Sequence, residues 1–547
     1  MVENAVQGGE IDRAKDILRE YEDVKQNRSQ LENDFREISE RLKPEHAQYW
    51  FGSQAATQQP QQFSKRHIDV SGVIALERFV AIFNSIATPF QSRWHLLKAS
   101  DPALNNKRRV NLYFDQLTST LFKQRYAARA GFAEAQLENY ESIGLYGNGV
   151  KFLDDPREQG RRGVRYMGVP FHSTWFRVDV QGRVDGVFRR LNYTPRQAAQ
   201  EFSVERLPEL IQRKLDDPRS KDHDTFEFIH FVGPQDDEQF PFESVYVSVE
   251  GPQIVEDGGF RSWPFPIGRY TRSSGNVYAT GPAMKVLGSL RTADQIKIDA
   301  LKAGQRATTP VLLAKDDDAA DWFNLTPGAV NPGTISEDGK KLVDALPMGR
   351  PDFAQEFYAN EKRDIADGFL TTLFSILTET PEMTATEVIQ RTQEQGALLS
   401  PVMSRQQTED LGPMIEREIE LLAFQGMLPE MPPELVEAQG EFEIEYASPL
   451  ALSQRAGEVS GFMRLAEFAL NAVQLTGDSS HIRRLDFETA LPEIAEIQRV
   501  PARWLRSDEE VQELAAQDRQ RQDAQQADDV APAAAGLLKQ LKDMQGA

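Results

Sequence analysis

Apolar residues recur at helical spacing near the start of the chain, from residue 11 to residue 42. At about 100° per residue these positions fall on one side of a helix, and charged residues occupy the other sides. The pattern therefore predicts one amphipathic helix whose apolar stripe packs on the core. The stripe contains Ile17, Tyr21, Val24, Leu31, Phe35, Ile38 and Leu42. Apolar-periodic segments at 68–99 and 110–144 predict further packed helices, the second ending at Gly144.

From residue 149 the pattern changes to alternation of apolar and polar positions, which is typical of half-buried strands. A hairpin turn is predicted at 180–183, and a helix at 195–215. The first half of the chain is therefore α+β. The predicted strands are 149–153, 163–169, 175–180, 183–190, 225–232 and 244–249.

A helix of unusual charge is predicted to begin at Gly281 and Pro282, because proline is tolerated in the first helical turn. Three of its cations, Arg291, Lys302 and Arg306, fall within a sector of about 60°. The formal net charge of the chain is -22, so a basic helix edge stands out. Residues 283–306 carry Lys285, Arg291, Lys297, Lys302 and Arg306 against Asp294 and Asp299. The adjacent apolar sector holds Leu287, Leu290, Ile298 and Leu301, and the far side has Ala293, Ala300 and Gly304.

The second half of the chain is predicted to be mostly helical, apart from a β-like excursion at 309–346 that turn signals interrupt. A helix resumes at residue 351 and runs to 376, where 377–383 breaks it. The following helix, to about residue 426, contains Pro401 and Pro413, so it must kink or divide. The remaining predictions are a strand at 442–446, helices at 450–475 and 488–505, and a polar tail that is helical or disordered.

Several stretches, taken in order along the chain, resemble the podovirus-type phage portal protein, the head-to-tail connector family. The Tyr-Thr-Arg-Ser-Ser-Gly-Asn turn that enters the basic helix, and the β excursion after it, resemble that family's stem and clip. The resemblance covers residues from about 41 to 510 and rests on the order of the stretches, since none of them is a chemical signature. They are 141–153, 169–190, 194–202, 270–283, 383–388, 409–417 and 444–451.

This resemblance implies an α+β, mostly helical subunit with wing, stem, clip and crown regions, assembling as a ring around a central channel. It places the wing at 1–281, a first stem helix at 282–308, the clip at 309–350 and a second stem helix at 351–376. A tunnel loop follows at 377–386, and a kinked helix with the wing or crown base at 387–449. The chain ends with crown-side helices at 450–510 and a polar C-terminal tail, helical or disordered, at 511–547.

The same resemblance assigns candidate site residues. The tunnel loop, facing DNA in the channel, would contain Glu379, Thr380, Pro381 and Glu382. The basic stem edge, which is Lys285, Arg291, Lys302 and Arg306, could face a neighbouring subunit, the DNA or solvent, and we rank the subunit interface first. Docking of partners on the clip would involve Asp316, Asp317, Asp318, Trp322 and Phe323.

Composition limits the chemistry that the chain can perform. With no cysteine, the chain has no disulfide and no thiol nucleophile, and its histidines lack the spacing of a helical zinc site. Asp316, Asp317, Asp318 and Asp321 could be drawn as a cation cluster, but a solvated loop explains them better. We therefore expect no catalytic residue, no metal and no cofactor. No apolar run reaches about 18 residues, so neither a membrane span nor a secretory signal is expected.

The expected function is that of a portal vertex protein, through whose ring viral genomic DNA is packaged and ejected. The resemblance implies a dodecameric homo-oligomer, with double-stranded DNA, terminase, a tail adaptor, the major capsid protein and scaffold as partners. The protein would lie in the virion after assembly in the host cytoplasm. Two alternatives stay open. A virion-associated, wall-degrading hydrolase would need two shielded carboxylates, and Glu379 with Glu382 is one such pair. A scaffolding or capsid protein would lack the helix, β excursion and helix order.

Overall fold

The fold was analysed in a computed structural model. It describes residues 2–47, 50, 67–90, 92–308, 352–371, 399–438, 440–446 and 449–476, and shorter stretches within 312–345 and 482–517. Contacts divide the chain into two compact units. The first consists of residues 1–92 and 123–427, and the second of residues 93–122 and 428–547. The region predicted as one wing, 1–281, therefore contributes to both units.

The first part of the chain, up to residue 281, mixes helices and strands. Its helices are α1 (Val2–Leu42), α2 (Pro44–Ala47), α3 (Ser71–Ala87), α4 (Arg108–Arg125), α5 (Phe132–Tyr146), α6 (Pro195–Glu201) and α7 (Glu209–Leu215). Its strands are β1 (His95–Ala99), β2 (Asn148–Asp154), β3 (Arg165–Val169), β4 (Thr174–Val178), β5 (Val184–Tyr193), β6 (Phe226–Pro234), β7 (Phe242–Ser248), β8 (Gln253–Phe260) and β9 (Ile267–Arg269).

The second part is mostly helical, as predicted. Its helices are α8 (Pro282–Lys285), α9 (Leu287–Thr308), α10 (Asp352–Gly368), α11 (Gly412–Phe424), α12 (Pro433–Glu437) and α13 (Pro449–Thr476). Its strands are β10 (Leu312–Ala314), β11 (Val343–Ala345) and β12 (Phe442–Tyr446). The α+β, mostly helical class predicted from the sequence is confirmed.

Helix α1 confirms the first predicted element and organises a sheet in the first unit. Strands β4-β5-β6-β7-β8 form an antiparallel sheet in that order. The buried stripe of α1 packs against it, with the Tyr21 ring edge-on to Trp175 at 5.1 Å between centroids. Phe188 lies opposite Phe231 on the neighbouring strand, and their rings stack at 4.7 Å. Aromatic cross-strand pairs of this kind stabilise a sheet and fix its register.

Several predicted elements have different bounds in the structure. The helix predicted at 68–99 is α3 followed by strand β1, and the one predicted at 110–144 divides into α4 and α5. Helix α5 passes Gly144 and ends at Gly147, whose φ of 74° is the left-handed conformation that glycine adopts at helix ends. The helix predicted at 195–215 divides into α6 and α7, and strands β8 and β9 have no counterpart among the predicted elements.

The kink predicted from Pro413 takes the form of a π turn. Residues Gln407–Leu411 form a π-helical turn immediately before α11, and the Gly412 N–H donates to the carbonyl of Gln407. Pro413 has no N–H to donate to a carbonyl in the preceding turn, so a regular helix cannot continue through it. The wider turn keeps the chain helical where a plain α-helix would break.

The π turn also holds charged groups inside the first unit. The Lys151 Nζ atom lies 3.0 Å from Asp410 Oδ1, and both side chains are fully buried. A second buried pair joins Arg125 to Glu418 of α11 at 2.5 Å. Arg269 donates two hydrogen bonds to Glu409, at 2.7 and 2.9 Å. Because a charge without a partner is costly in this interior, these pairs fix the rotation of the helix against β2, β9 and Arg125 at the end of α4.

The second unit contains the strand that the sequence predicted at 442–446. This strand, β12, pairs antiparallel with β1, with His95 opposite Tyr446. Trp94 is buried beside them and packs edge-on to Phe122 at 5.7 Å. Residues 93–122 therefore join the C-terminal part of the chain through a two-stranded ladder.

The buried Lys151 and Asp410 pair gives a direct stability test. In Lys151→Met the carboxylate of Asp410 stays buried without its cation, so we expect the free energy of unfolding to fall by about 3–5 kcal/mol. Urea unfolding followed by circular dichroism measures the loss. The control is Arg213→Met, because Arg213 pairs with Glu209 at the surface and its loss should change stability by less than about 1 kcal/mol. Equal effects of the two substitutions would contradict the assignment.

Candidate subunit-contact site on the stem

The predicted first stem helix, 282–308, is present but interrupted. Helices α8 and α9 meet at Val286, whose φ of -101° and ψ of 11° are not helical and whose side chain is buried. Helix α10 packs against α9 and α8. At its end, Gly368 lies so close to Val286 that an added Cβ would be 2.1 Å from Val286 Cγ1. Gly368 therefore lets the two stem helices approach at their base.

The base of this helix pair is buried, and the far half of α9 is exposed. Leu287, Leu290 and Ala293 join Ile365 and Phe369 in the core of the first unit. From Asp299 to Thr308 the side chains are exposed except at position 303. The exposed residues include Leu301, at 51% of its full exposure, although the sequence placed it in a packed apolar sector. The outer half of α9 thus presents apolar and charged groups that its own subunit does not cover.

A cluster that we call the stem clasp, consisting of His67, Asp69, Asp294, Lys297 and Tyr358, fastens the base. Asp294 accepts hydrogen bonds from His67 Nδ1 at 2.8 Å and from the backbone N–H groups of residues 68 and 69 at 2.8 and 3.1 Å. Asp69 accepts from the Tyr358 hydroxyl at 2.7 Å and lies 3.5 Å from Lys297 Nζ. The clasp therefore ties α9 and α10 to the segment that enters α3.

The pKa shifts of Asp294 and Tyr358 are consistent with the hydrogen bonds that these two residues form. Burial alone would raise the pKa of Asp294, but hydrogen bonds from His67 and from the two backbone N–H groups lower it below its ordinary value. Burial and the hydrogen bond to Asp69 raise the pKa of Tyr358 to about 12. At neutral pH, Asp294 is therefore an ionised acceptor and Tyr358 a protonated donor.

The four cations of the basic stem edge have different surroundings. Arg291 donates to Glu37 of α1 at 2.8 and 2.5 Å, so its carboxylate partner lies in the same chain. The contact of Arg291 with a neighbouring subunit stays a prediction, beside this partner in its own chain. Lys302 lies 3.6 Å from Asp299, one turn away on an exposed face, and Lys285 lies over the Tyr270 ring. Arg306 is exposed and forms no ion pair with the residues described.

Glu37 is the acceptor for two guanidinium groups. Besides Arg291, it accepts from Arg41 Nε at 3.0 Å. The hydrogen bond from Arg291, followed by the contribution of Arg41, lowers the pKa of Glu37 to about 2, although burial opposes the shift. Arg291 thus helps to fasten α1 to the stem.

Other predicted site residues lie outside the described part of the chain. These are Glu379, Thr380, Pro381 and Glu382 of the tunnel loop and Asp316, Asp317, Asp318, Trp322 and Phe323 of the clip. The ends of the predicted clip are described: β10 pairs antiparallel with β11, with Leu312 opposite Ala345. The described residues 312–314 and 343–345 of the predicted clip are therefore joined by one short ladder.

Sequence reasoning missed the stem clasp and the Glu37 partner of Arg291. The available signal was small: Asp294 is one of two acidic residues in an otherwise basic helix. Among the residues described, no group of three or more His, Asp or Glu side chains could hold a metal ion. A helix both long and apolar enough to cross a membrane is likewise not found within those ranges.

A helix pair that flanks a β excursion and rises from an α+β body is the architecture of a head-to-tail connector subunit. The family described as "Bacteriophage head to tail connecting protein" matches residues 14–505, and the chain belongs to that family. The resemblance found in the sequence is confirmed.

Two curated relatives are similar over most of their length. The "Portal protein" of Salmonella phage epsilon15 is 22% identical over 550 residues, covering 97% of this chain and 95% of that protein. The "Probable portal protein" of Bordetella phage BPP-1 is 26% identical over 474 residues, with 80% of each chain covered. Family and relatives support a portal vertex role for this chain.

Solved structures of gene transfer agent particles also align with the fold. A chain of the native virion is 12% identical with a TM-score of 0.32, covering 72% of this chain and 87% of that one. A chain from the neck of the native particle, computed with C12 symmetry, is 15% identical with the same TM-score and the same coverage.

The bond between Glu37 and Arg291 predicts a pH-dependent contribution to stability. Because the pKa of Glu37 is lowered from 4.5 to about 2 on folding, the contribution is fully present above pH 4.5 and is lost as the pH falls towards 2. Glu37→Gln should lower the free energy of unfolding by about 1 kcal/mol at neutral pH, with the difference from the parent shrinking in acid. Urea titrations at several pH values measure this. Asp299→Asn, at an exposed pair, is the control, and a difference independent of pH would refute the prediction.

Proposed function

We propose that this chain is the repeating subunit of a portal ring, expected to be dodecameric, through which viral double-stranded DNA enters and leaves the capsid. The strongest support is the contrast along α9. Its first turns are buried in the subunit core, while the side chains from Asp299 onward are almost all exposed, Leu301 among them. A projecting helix of this kind gains its missing packing when identical neighbours stand beside it.

A closed ring of identical subunits uses a head-to-tail interface, in which one face of a subunit meets a different face of the next. Lys302 and Arg306 are the cations of the basic stem edge that remain for such a contact. The chain has 84 acidic against 62 basic residues, so carboxylates on a neighbouring surface are plentiful. We therefore assign these two cations to the subunit interface, with a channel-facing role as the competing assignment.

The roles that we propose for the clip, the wing and the tunnel loop follow from the family resemblance. In this proposal the clip residues Asp316, Asp317, Asp318, Trp322 and Phe323 dock terminase during packaging and a tail adaptor afterwards. The wing contacts the major capsid protein and scaffold, and the tunnel loop lies against the DNA. The ring resides at the capsid vertex of the virion after assembly in the host cytoplasm. The protein acts as a gate and a docking platform and performs no bond chemistry.

The hydrolase alternative gains no support from the buried carboxylates. A glycosidase needs one carboxyl that stays protonated to act as an acid and a second that acts as a base or nucleophile. Asp410 lies against Lys151, and Glu418 lies against Arg125, so each of these buried carboxylates has a cationic partner inside the fold. These two carboxylates therefore have a structural role, which is to pair with buried cations.

Negative-stain electron microscopy of the purified protein tests the proposed assembly. We expect rings with a central hole. A uniform population of monomers across a range of protein concentrations and salt would overturn the portal assignment for this chain.

The two remaining stem cations can be tested by charge reversal. Lys302→Glu with Arg306→Glu should shift the protein from rings to monomers and incomplete rings, because each exposed pair is worth about 0.2–1 kcal/mol and the loss repeats at every interface. Sedimentation velocity measures the ring fraction. Arg291→Glu alone is the matched control: its partner is in the same chain, so it should lower subunit stability more than assembly. Intact rings of the double variant with altered DNA passage would favour the channel role.

Charge reversal in the tunnel loop tests its contact with DNA. Glu379→Lys with Glu382→Lys would place positive charge against the phosphates, so DNA should be retained or stalled, with the effect fading at high salt. A packaging and release assay at low and high salt measures this. Glu430→Lys with Glu434→Lys, outside the predicted loop, is the control. Parent-like packaging and release at low salt would exclude 377–386 from the channel wall.

A further inference from the structure

Helix α13 has an unusual distribution of side chains around its axis between residues 459 and 475. At about 100° per residue its polar side chains occupy one continuous sector of about 80°. All of them are exposed. They are Ser460, Arg464, Glu467, Asn471 and Gln474.

The rest of the circumference of α13 is apolar or small. Among the residues described, only the middle of this apolar sector is covered by the same chain. The covered strip is about 80° wide and is spaced alternately three and four residues apart. Val459 and Ala469 on it are buried, and Phe462 packs edge-on to Phe487 at 5.7 Å. The strip consists of Val459, Phe462, Ala466, Ala469 and Val473.

Two apolar flanks lie on either side of the covered strip, and both are exposed. The first flank contains Met463 and Leu470, which keep 57% and 49% of their full exposure. The second contains Leu465, Phe468 and Leu475, with 54%, 72% and 88% exposure. The half-buried Ala472 lies on the same side of the helix and completes a spacing of three, four and three residues, as in helices that pack side by side.

A helix that is apolar around most of its circumference is normally buried around most of its circumference. Within the described part of the chain, only the middle strip of α13 is covered. Scattered apolar side chains are common on protein surfaces, but these form two continuous strips on one helix. The helix therefore has an exposed apolar surface on each side of the covered strip, where a partner could pack.

We propose that α13 packs between two further copies of this chain, with the first flank of one copy against the second flank of the next. A subunit in a closed ring has two neighbours and presents a different face to each, which matches two different flanks on opposite sides of one covered strip. A two-fold dimer would require one flank that contacts itself. The inference rests on the ring assembly proposed above and adds a second, apolar contact, in the C-terminal unit, to the one on the stem.

The absence of cysteine allows a direct test by cross-linking. Phe468 and Leu470 lie on opposite flanks, about 160° apart around the axis and about 3 Å apart along it, so two thiols there point away from each other within one helix. We expect Phe468→Cys with Leu470→Cys, treated with a short bismaleimide, to give a ladder of covalent oligomers on a denaturing gel. Either single variant should give no ladder. Met463→Cys with Leu465→Cys repeats the test nearby and should give the same result.

The control places both thiols in the polar sector, with Arg464→Cys and Asn471→Cys, and should give no ladder. Electron microscopy of each variant before cross-linking separates the two proposals. Rings without a ladder for both flank pairs would overturn the packing of α13 and leave the ring intact. Covalent dimers from a single flank variant would overturn it in favour of a two-fold contact. An unsubstituted protein that forms no rings would overturn the ring assembly itself.

Discussion

Two buried carboxylates at the base of the stem fix where the stem helices leave the body of the subunit. Asp294 and Asp69 receive their hydrogen bonds from backbone N–H groups, His67 and the Tyr358 hydroxyl, so the polar groups of the entering segment are satisfied at one place. Because an unpaired buried carboxylate would cost several kcal/mol, the helices cannot rotate without breaking this set. The exposed outer half of α9 is thereby held in one direction, as a surface that contacts a neighbour must be.

Much of the fold was predictable because its signals are local. The stripe of α1 is visible within a few turns, and so is the turn that enters α8. The errors arose where a partner distant in sequence decides the structure. Residues 95–99 are periodic enough to suggest a helix, yet they form β1 because β12, from the far end of the chain, pairs with them. Strand β8 escaped prediction because Gly258 and Gly259 weaken its alternation, and its position is set by pairing with β7.

The candidate site was only half predictable, for a related reason. The excess of cations on α9 is a property of the sequence, but the assignment of each cation depends on which acid the fold brings to it. Arg291 meets Glu37 across 254 positions, a pairing that no spacing rule indicates. Lys302 has its acid one turn away, where helical geometry alone places it. Of the four cations of the basic edge, Arg291 fastens α1 to the stem, and Lys285 lies over the Tyr270 ring. Lys302 and Arg306 lie on the exposed outer half of α9.

The distribution of polar and apolar groups reverses the usual expectation for a chain that folds and works alone. Charged side chains are inside, as with Lys151, Asp410, Arg125 and Glu418, where paired burial contributes register more than stability. Large apolar side chains are outside, on α9 in one unit and on α13 in the other, at Leu301 and at Phe468. A protein that works as a monomer would be more stable with these charged side chains exposed and these apolar side chains buried. In the proposed ring both features are consistent, because the internal pairs hold each helix at a fixed rotation and the apolar faces would be buried between identical copies.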